Sequence, residues 1–260
     1  ADNPIIFALR GPIRRRIGLF YCLGGLPDLS YLLMRIPLTK YGWPQVAVYP
    51  ALLVVAMLAV ALGGAGRTPS WAVISTEVVL AAVLVWALMF FRDPRRDAPA
   101  DRNLLLAPAD GKVTDIERMP QSDLLDGPAL RIGIFLSIFN VHINRAPCNV
   151  RVEKIAYRKG RYLNAMNPLS AKVNESNTLT LARTDEPGGR LVVRQISGAI
   201  ARRIVCEAKE GGELGRGQAF GMIKFGSRTE LYVPAGEQTE CLVRIGDTVK
   251  AGITPLVRYR

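Results

Sequence analysis

Two apolar runs leave this chain few folds to choose from. Residues 45–62 read QVAVYPALLVVAMLAVAL and carry no charge; residues 71–91 read WAVISTEVVLAAVLVWALMFF, with Glu77 as the one charge. A run of about 21 residues makes a helix of roughly 31 Å, the thickness of a bilayer's hydrocarbon core. One such run could be the buried helix of a soluble domain. Two in tandem, joined by GGAGRTPS at 63–70, read as a transmembrane helical hairpin. Pro50 is expected to kink the first helix or to mark where its regular part begins. Trp43, Tyr49, Trp71 and Trp86 are available as anchors at the membrane interfaces.

The cations orient the hairpin. Arg10, Arg14, Arg15, Arg16, Arg35 and Lys40 precede it, Arg92, Arg95 and Arg96 follow it, and the connecting loop has only Arg67. The positive-inside rule puts both ends in the cytoplasm, as in a multi-pass protein of the inner membrane. Residues 17–36 are apolar but broken by Gly24, Gly25, Pro27 and Asp28. With Arg14, Arg15 and Arg16 ahead of them they resemble the start of a signal peptide, yet no small-residue cleavage site follows. An interfacial or re-entrant segment is the better reading. The expected organisation is a basic interfacial segment at 1–43, the hairpin at 44–92 and a β-rich domain at 93–260.

Composition narrows the partners. Lys and Arg number 34 against 22 Asp and Glu, a formal charge of +12, and 49% of residues are hydrophobic. Basic and apolar together suit an anionic membrane surface. No helix-turn-helix, zinc finger or aromatic-studded basic groove is present, which argues against nucleic acid. Cys22, Cys148, Cys206 and Cys241 are scattered without a C-x-x-C pair, so neither a metal site nor a disulfide framework is expected.

After residue 104 the texture changes to short runs rich in Val, Ile, Leu and Tyr, separated by Gly and Pro turns. Strands are expected at 130–135, 150–157, 178–182, 191–196, 201–208, 230–233 and 239–243. Pro187, Gly188 and Gly189 suit a hairpin turn between two of them. No amphipathic helix longer than about 12 residues competes. Residues 211–217 and 246–252 share the pattern G-x-x-[Leu/Val]-x-x-G. This echo resembles the turns of lipoyl/biotinyl-type barrel-sandwich domains, in which two similar halves interlock. The expected fold is therefore a transmembrane hairpin followed by an all-β domain of barrel-sandwich type.

The chain has one histidine, His142. Imidazole chemistry near neutral pH has no second candidate here. Between Val141 and Ile143, the residue taken alone reads first as a hydrogen-bonded core position. Asp110, His142 and Ser227 follow in an order that could form an acid–imidazole–hydroxyl triad. Each also has a plainer reading: Asp110-Gly111 as a turn, His142 as core, Gly226-Ser227 as a loop entering a strand.

The motifs FFRDPRR (90–96), PADG (108–111), VHINRAP (141–147), NESN (174–177) and FGSR (225–228) occur in this order. Together they resemble the short form of the pyruvoyl-dependent phosphatidylserine decarboxylases. The resemblance implies a self-cleaving proenzyme. Ser227 would attack the Gly226 carbonyl to give an ester. Elimination to dehydroalanine and hydrolysis would leave a pyruvoyl group at a new amino terminus. The chain would divide into a β subunit, 1–226, and an α subunit, 227–260, that stay associated. The pyruvoyl ketone would form a Schiff base with phosphatidylserine and accept the electrons released with CO2. His142 would be the base in maturation and the proton donor in turnover, with Asp110 orienting it. Glycine at 226 would leave its carbonyl unobstructed.

The segment YRKGRYLNAMNP (157–168) mixes cations, aromatics and apolar residues. Tyr162, Leu163 and Asn164 are expected nearest the substrate, on a loop over the site. A homodimer is compatible with exposed strand edges. Nothing in these residues reads the lipid tails, so archaetidylserine, with the same headgroup, is an alternative substrate. A serine hydrolase would require the G-x-S-x-G elbow that Gly226-Ser227-Arg228 lacks. A membrane-anchored barrel-sandwich adaptor would leave His142 without a role.

Overall fold

The computed structural model describes residues 37–260 apart from 168, 200–202 and 225. Most of the expected interfacial segment at 1–43 lies outside the described residues. Helix α1 spans Gln45–Gly64 and helix α2 spans Ser70–Phe90. They pack against each other as a hairpin. At 20 and 21 residues they are long and apolar enough to cross a membrane. No residue of α1 is buried, and only Ala87 and Phe90 are buried on α2. A helix apolar all round and uncovered by protein is compatible with membrane association. Helix α1 begins five residues before Pro50 and runs through it, so the proline does not mark its start.

The remainder is mostly β. The largest sheet has eight strands, edge to edge Thr248–Val249, Gly111–Ser122, Gly127–Leu136, Ser227–Pro234, Arg190–Ile196, Ser176–Arg183, Val150–Arg158 and Glu213–Leu214. Leu104–Leu106, Pro255–Tyr259 and Thr239–Cys241 form a second sheet; Ile143–Arg145, Ala219–Lys224 and Arg203–Cys206 form a third. The two glycine echoes flank the opposite edge strands of the large sheet. Gly211, Gly217, Gly246 and Gly252 all have positive φ. A Cβ on Gly252 would lie 3.3 Å from the Gly217 Cα, so the two edges approach each other and the sheet is curled. Inside it Leu130, Ile132, Ile134, Leu179, Leu181, Val193, Leu231 and Val233 form the main core.

Every expected strand has a counterpart, and several more appear. The longest additional one, Gly111–Ser122, carries Lys112, Asp115, Glu117 and Arg118. Those charges hid it from an apolar pattern. Its acidic residues instead meet Arg131 on the adjacent strand and Arg228 on the strand beyond it.

The foot of the hairpin is built into the β domain. Thr39 N donates to Phe91 O at 2.8 Å, Tyr41 Oη to Ala219 O at 3.0 Å, and Lys224 Nζ to Gln45 Oε1 at 2.9 Å. Tyr41, Phe90, Phe91, Val141, Ile143 and Met222 form a second apolar cluster at this junction. His142 lies in the same place.

Candidate active site

Ser227 opens the strand Ser227–Pro234, which is hydrogen-bonded along its length to Gly127–Leu136 and over five residues to Arg190–Ile196. Alternation along a strand puts Ser227, Thr229 and Leu231 on one face and Arg228, Glu230 and Tyr232 on the other. Ser227 is fully buried, and its Oγ has no hydrogen-bond partner among the described residues. A buried hydroxyl left unpaired costs about 1–3 kcal/mol, so it calls for a reason.

Gly226, just before it, has φ +61. A Cβ there would touch nothing closer than Ile138 at 4.0 Å, so conformation rather than space requires the glycine. Space is the constraint across the cleft. A Cβ on Gly198 would lie 2.1 Å from the Gly226 carbonyl oxygen. That carbonyl is therefore cradled against backbone that only glycine permits.

The imidazole is fixed at both nitrogens. Gly226 N–H donates to His142 Nε2 at 3.3 Å, and Nδ1 lies 3.0 Å from Asn140 O. The pairing assigns the neutral tautomer with hydrogen on Nδ1. Asn140 is itself held, because its Oδ1 accepts from Ser137 N and Ser137 Oγ. The Phe90 ring stacks at an angle on the imidazole, 4.4 Å between centroids. Burial pushes the His142 pKa down to about 4, against smaller opposing effects of the Asn140 carbonyl and the Asp110 charge. His142 is thus neutral at physiological pH and able to take a proton.

Asp110 corrects the expected triad. Its carboxylate binds Arg96 through both oxygens, at 2.5 and 2.8 Å, and accepts from Ala251 N at 2.8 Å. His142 Nδ1 is oriented by Asn140 O instead. The physical reason is that a buried carboxylate gains more from a bidentate guanidinium than from a neutral imidazole. Asp110 acts on His142 through its field, which favours the imidazolium.

A cleft of about 270 Å³ opens beside Gly226, lined by Phe135, Ser137, Ile138, Asn164, Ala165, Met166 and Ala199. Asn164 lines this cleft; Tyr162 and Leu163 are not among its lining residues. The loop is held from behind by Asn174, which binds Leu163 N, Leu163 O and Ser197 O. Two features escaped the motif reading. A buried chain of amides links Asn177 to Gln195, Gln195 to Asn144 and Asn144 to Thr229 Oγ1, two residues from Ser227. On the opposite face Arg228 binds Glu230, Thr114 and Asp115. Gln195, Thr229 and Thr114 lie outside the quoted motifs, and only strand pairing brings them in. Among the described residues, no cluster of His, Cys, Asp and Glu is placed to hold a metal ion.

Comparison with known proteins gives the family. Residues 83–256 match the family model described as phosphatidylserine decarboxylase. A protein of Rhodopirellula baltica named phosphatidylserine decarboxylase proenzyme is 46% identical over 191 residues, covering 73% of this chain and 77% of that one. Proteins of the same name from Magnetococcus marinus and Azorhizobium caulinodans are 37% and 39% identical, covering 85% and 86% of this chain and 94% and 90% of theirs. With the match extending from the foot of the hairpin to the last sheet, this chain belongs to the phosphatidylserine decarboxylase family.

Proposed function

We propose that this chain is a membrane-anchored proenzyme that cleaves itself between Gly226 and Ser227. The mature enzyme decarboxylates phosphatidylserine to phosphatidylethanolamine through the pyruvoyl group left at residue 227. One observation carries the reading: a buried, unpartnered serine hydroxyl directly follows a left-handed glycine whose N–H meets the only imidazole of the chain.

The residues present fit such a group. For maturation, Ser227 Oγ must reach the Gly226 carbonyl carbon. His142 Nε2 exchanges its Gly226 N–H for the serine proton, and neutrality at pH 7 leaves it able to accept. The peptide C–N bond then breaks as the ester forms. The Asp110 charge stabilises the transient imidazolium, while Asn140 O keeps the ring in place. Once formed, the pyruvoyl group supplies a ketone that binds the substrate amine and accepts the electron pair released with CO2. In turnover His142 Nε2 would take up the proton released when the substrate ammonium condenses and return it to the carbon that lost CO2, beside a cleft lined mostly by apolar side chains. Asn164 lines the cleft and is the candidate contact for the polar headgroup; Tyr162 and Leu163 serve the loop that carries it.

The subunits, 1–226 and 227–260, stay together because the cut falls before a central strand paired on both sides. The glycine turns at the two edges of the curled sheet support a barrel-sandwich of lipoyl type. The apolar hairpin supports an inner-membrane protein with its β domain cytoplasmic. A homodimer is consistent with the edge strands of the two three-stranded sheets.

Intact mass of the purified full chain in detergent tests the reading. Two fragments split at Gly226-Ser227 are expected, the smaller with a blocked amino terminus, while Ser227→Ala stays whole and inactive. A full-length chain with full decarboxylase activity would refute it.

A further inference from the structure

A second hollow lies against α2. It measures about 450 Å³ and is lined by Ala82, Val85 and Met89 on the helix and by Ile138 and Phe139 on the facing segment, with Arg92 at its rim. We propose that this groove is a subsite for one acyl chain of the lipid whose headgroup reacts at residue 227. The inference rests on the decarboxylase reading and extends it from headgroup to tail.

Three observations converge. First, the groove adjoins the cleft: Ile138 lines both. A ligand here must be apolar along the helix and polar where it turns past Ile138, which describes a chain joined to a charged headgroup. Second, the wall is held in place. Arg92 donates from Nη1 to Met89 O at 2.6 Å and from Nη2 to Phe139 O at 2.9 Å, tying the helix end to the facing segment. Two of its five donors are engaged in these bonds; the others can meet a phosphodiester at the point where chain becomes headgroup. Third, Phe139 is 69% exposed at the rim, and small Ala82 opens the hollow on a helix able to span hydrocarbon. An exposed aromatic beside a helix of this kind gains burial from lipid.

The groove is tested with the full chain in mixed micelles, using Ala82→Trp to fill it. Val79→Trp, on the same helix but outside the groove, is the control for a bulky side chain in the membrane. Two phosphoserine diesters are compared: dioleoyl phosphatidylserine and glycerophosphoserine, which has no chains. Losing the burial of about two methylenes raises the ratio of the two KM values about tenfold in Ala82→Trp. The ratio in Val79→Trp is expected to match the parent chain. An unchanged ratio in Ala82→Trp overturns the subsite and leaves the hollow to bulk lipid, as does an equal rise for both substrates. A parent chain that stays uncut and decarboxylates neither compound overturns the decarboxylase reading instead, so the two failures are distinct.

Discussion

Titration of the single histidine is a direct test of how the site is built. His142 is fully buried, with Phe90 against one face of the ring, Gly226 N–H on Nε2 and Asn140 O on Nδ1. Desolvation takes its pKa from 6.5 down to about 4. At ~1.4 kcal/mol per pH unit, protonating the folded site costs about 3 kcal/mol more than protonating an exposed imidazole. Below pH 6.5 the unfolded chain binds a proton that the folded chain refuses until about pH 4. Folding stability therefore carries this contribution in full above 6.5 and loses it progressively as pH falls toward 4. Because the chain has one histidine, ¹⁵N-histidine labelling reports this ring alone. In the uncleaved Ser227→Ala chain in detergent, the ring nitrogens are expected to show the neutral form, hydrogen on Nδ1, from about pH 8 to about pH 5. Phe90→Ala, which lets water reach the ring, is expected to raise the midpoint. A midpoint near 6.5 in the parent site, or hydrogen on Nε2, would show that the imidazole is neither desolvated nor held by Asn140, and the argument for a neutral base would fail.

Other outcomes follow from the same geometry. Gly198→Ala puts a methyl group into the Gly226 carbonyl and is expected to stop self-cleavage while the chain still folds, read by denaturing gel and circular dichroism. Normal cleavage would show that the carbonyl is not held there. Arg96→Ala leaves the Asp110 carboxylate, with 11% side-chain exposure, without its cation and should cost about 3–5 kcal/mol by denaturant unfolding. A loss under about 1 kcal/mol would mean that water replaces the guanidinium. After cleavage, residues 227–260 should remain bound through gel filtration in detergent and separate only under denaturing conditions, since the strand that residue 227 opens is paired on both sides.

The hairpin and most strands were readable because their signals are local. An uncharged run long enough to cross a bilayer, or a short β-branched run between turns, announces itself within a window of a dozen residues. Gly111–Ser122 was not readable that way, because its charges are neutralised by arginines on neighbouring strands. The motifs pointed to Ser227, His142 and Asp110, but hydrogen-bond partners are set by approach in space. Asp110 went to Arg96, His142 to Asn140, and the buried amides of Asn177, Gln195 and Asn144 reached Thr229 only through sheet register.

What the sequence alone determined is the inventory: two membrane-length helices, a β domain, one imidazole and a Gly-Ser bond in a recognisable setting. Tertiary structure decided that the foot of the hairpin closes over that imidazole, that Gly226 is left-handed and its carbonyl lies against Gly198, and that the serine hydroxyl is buried without a partner. The division has one physical cause. Hydropathy and periodicity are properties of neighbours along the chain, whereas desolvation and hydrogen-bond partnership belong to groups, here up to 179 positions apart, that only the fold brings together.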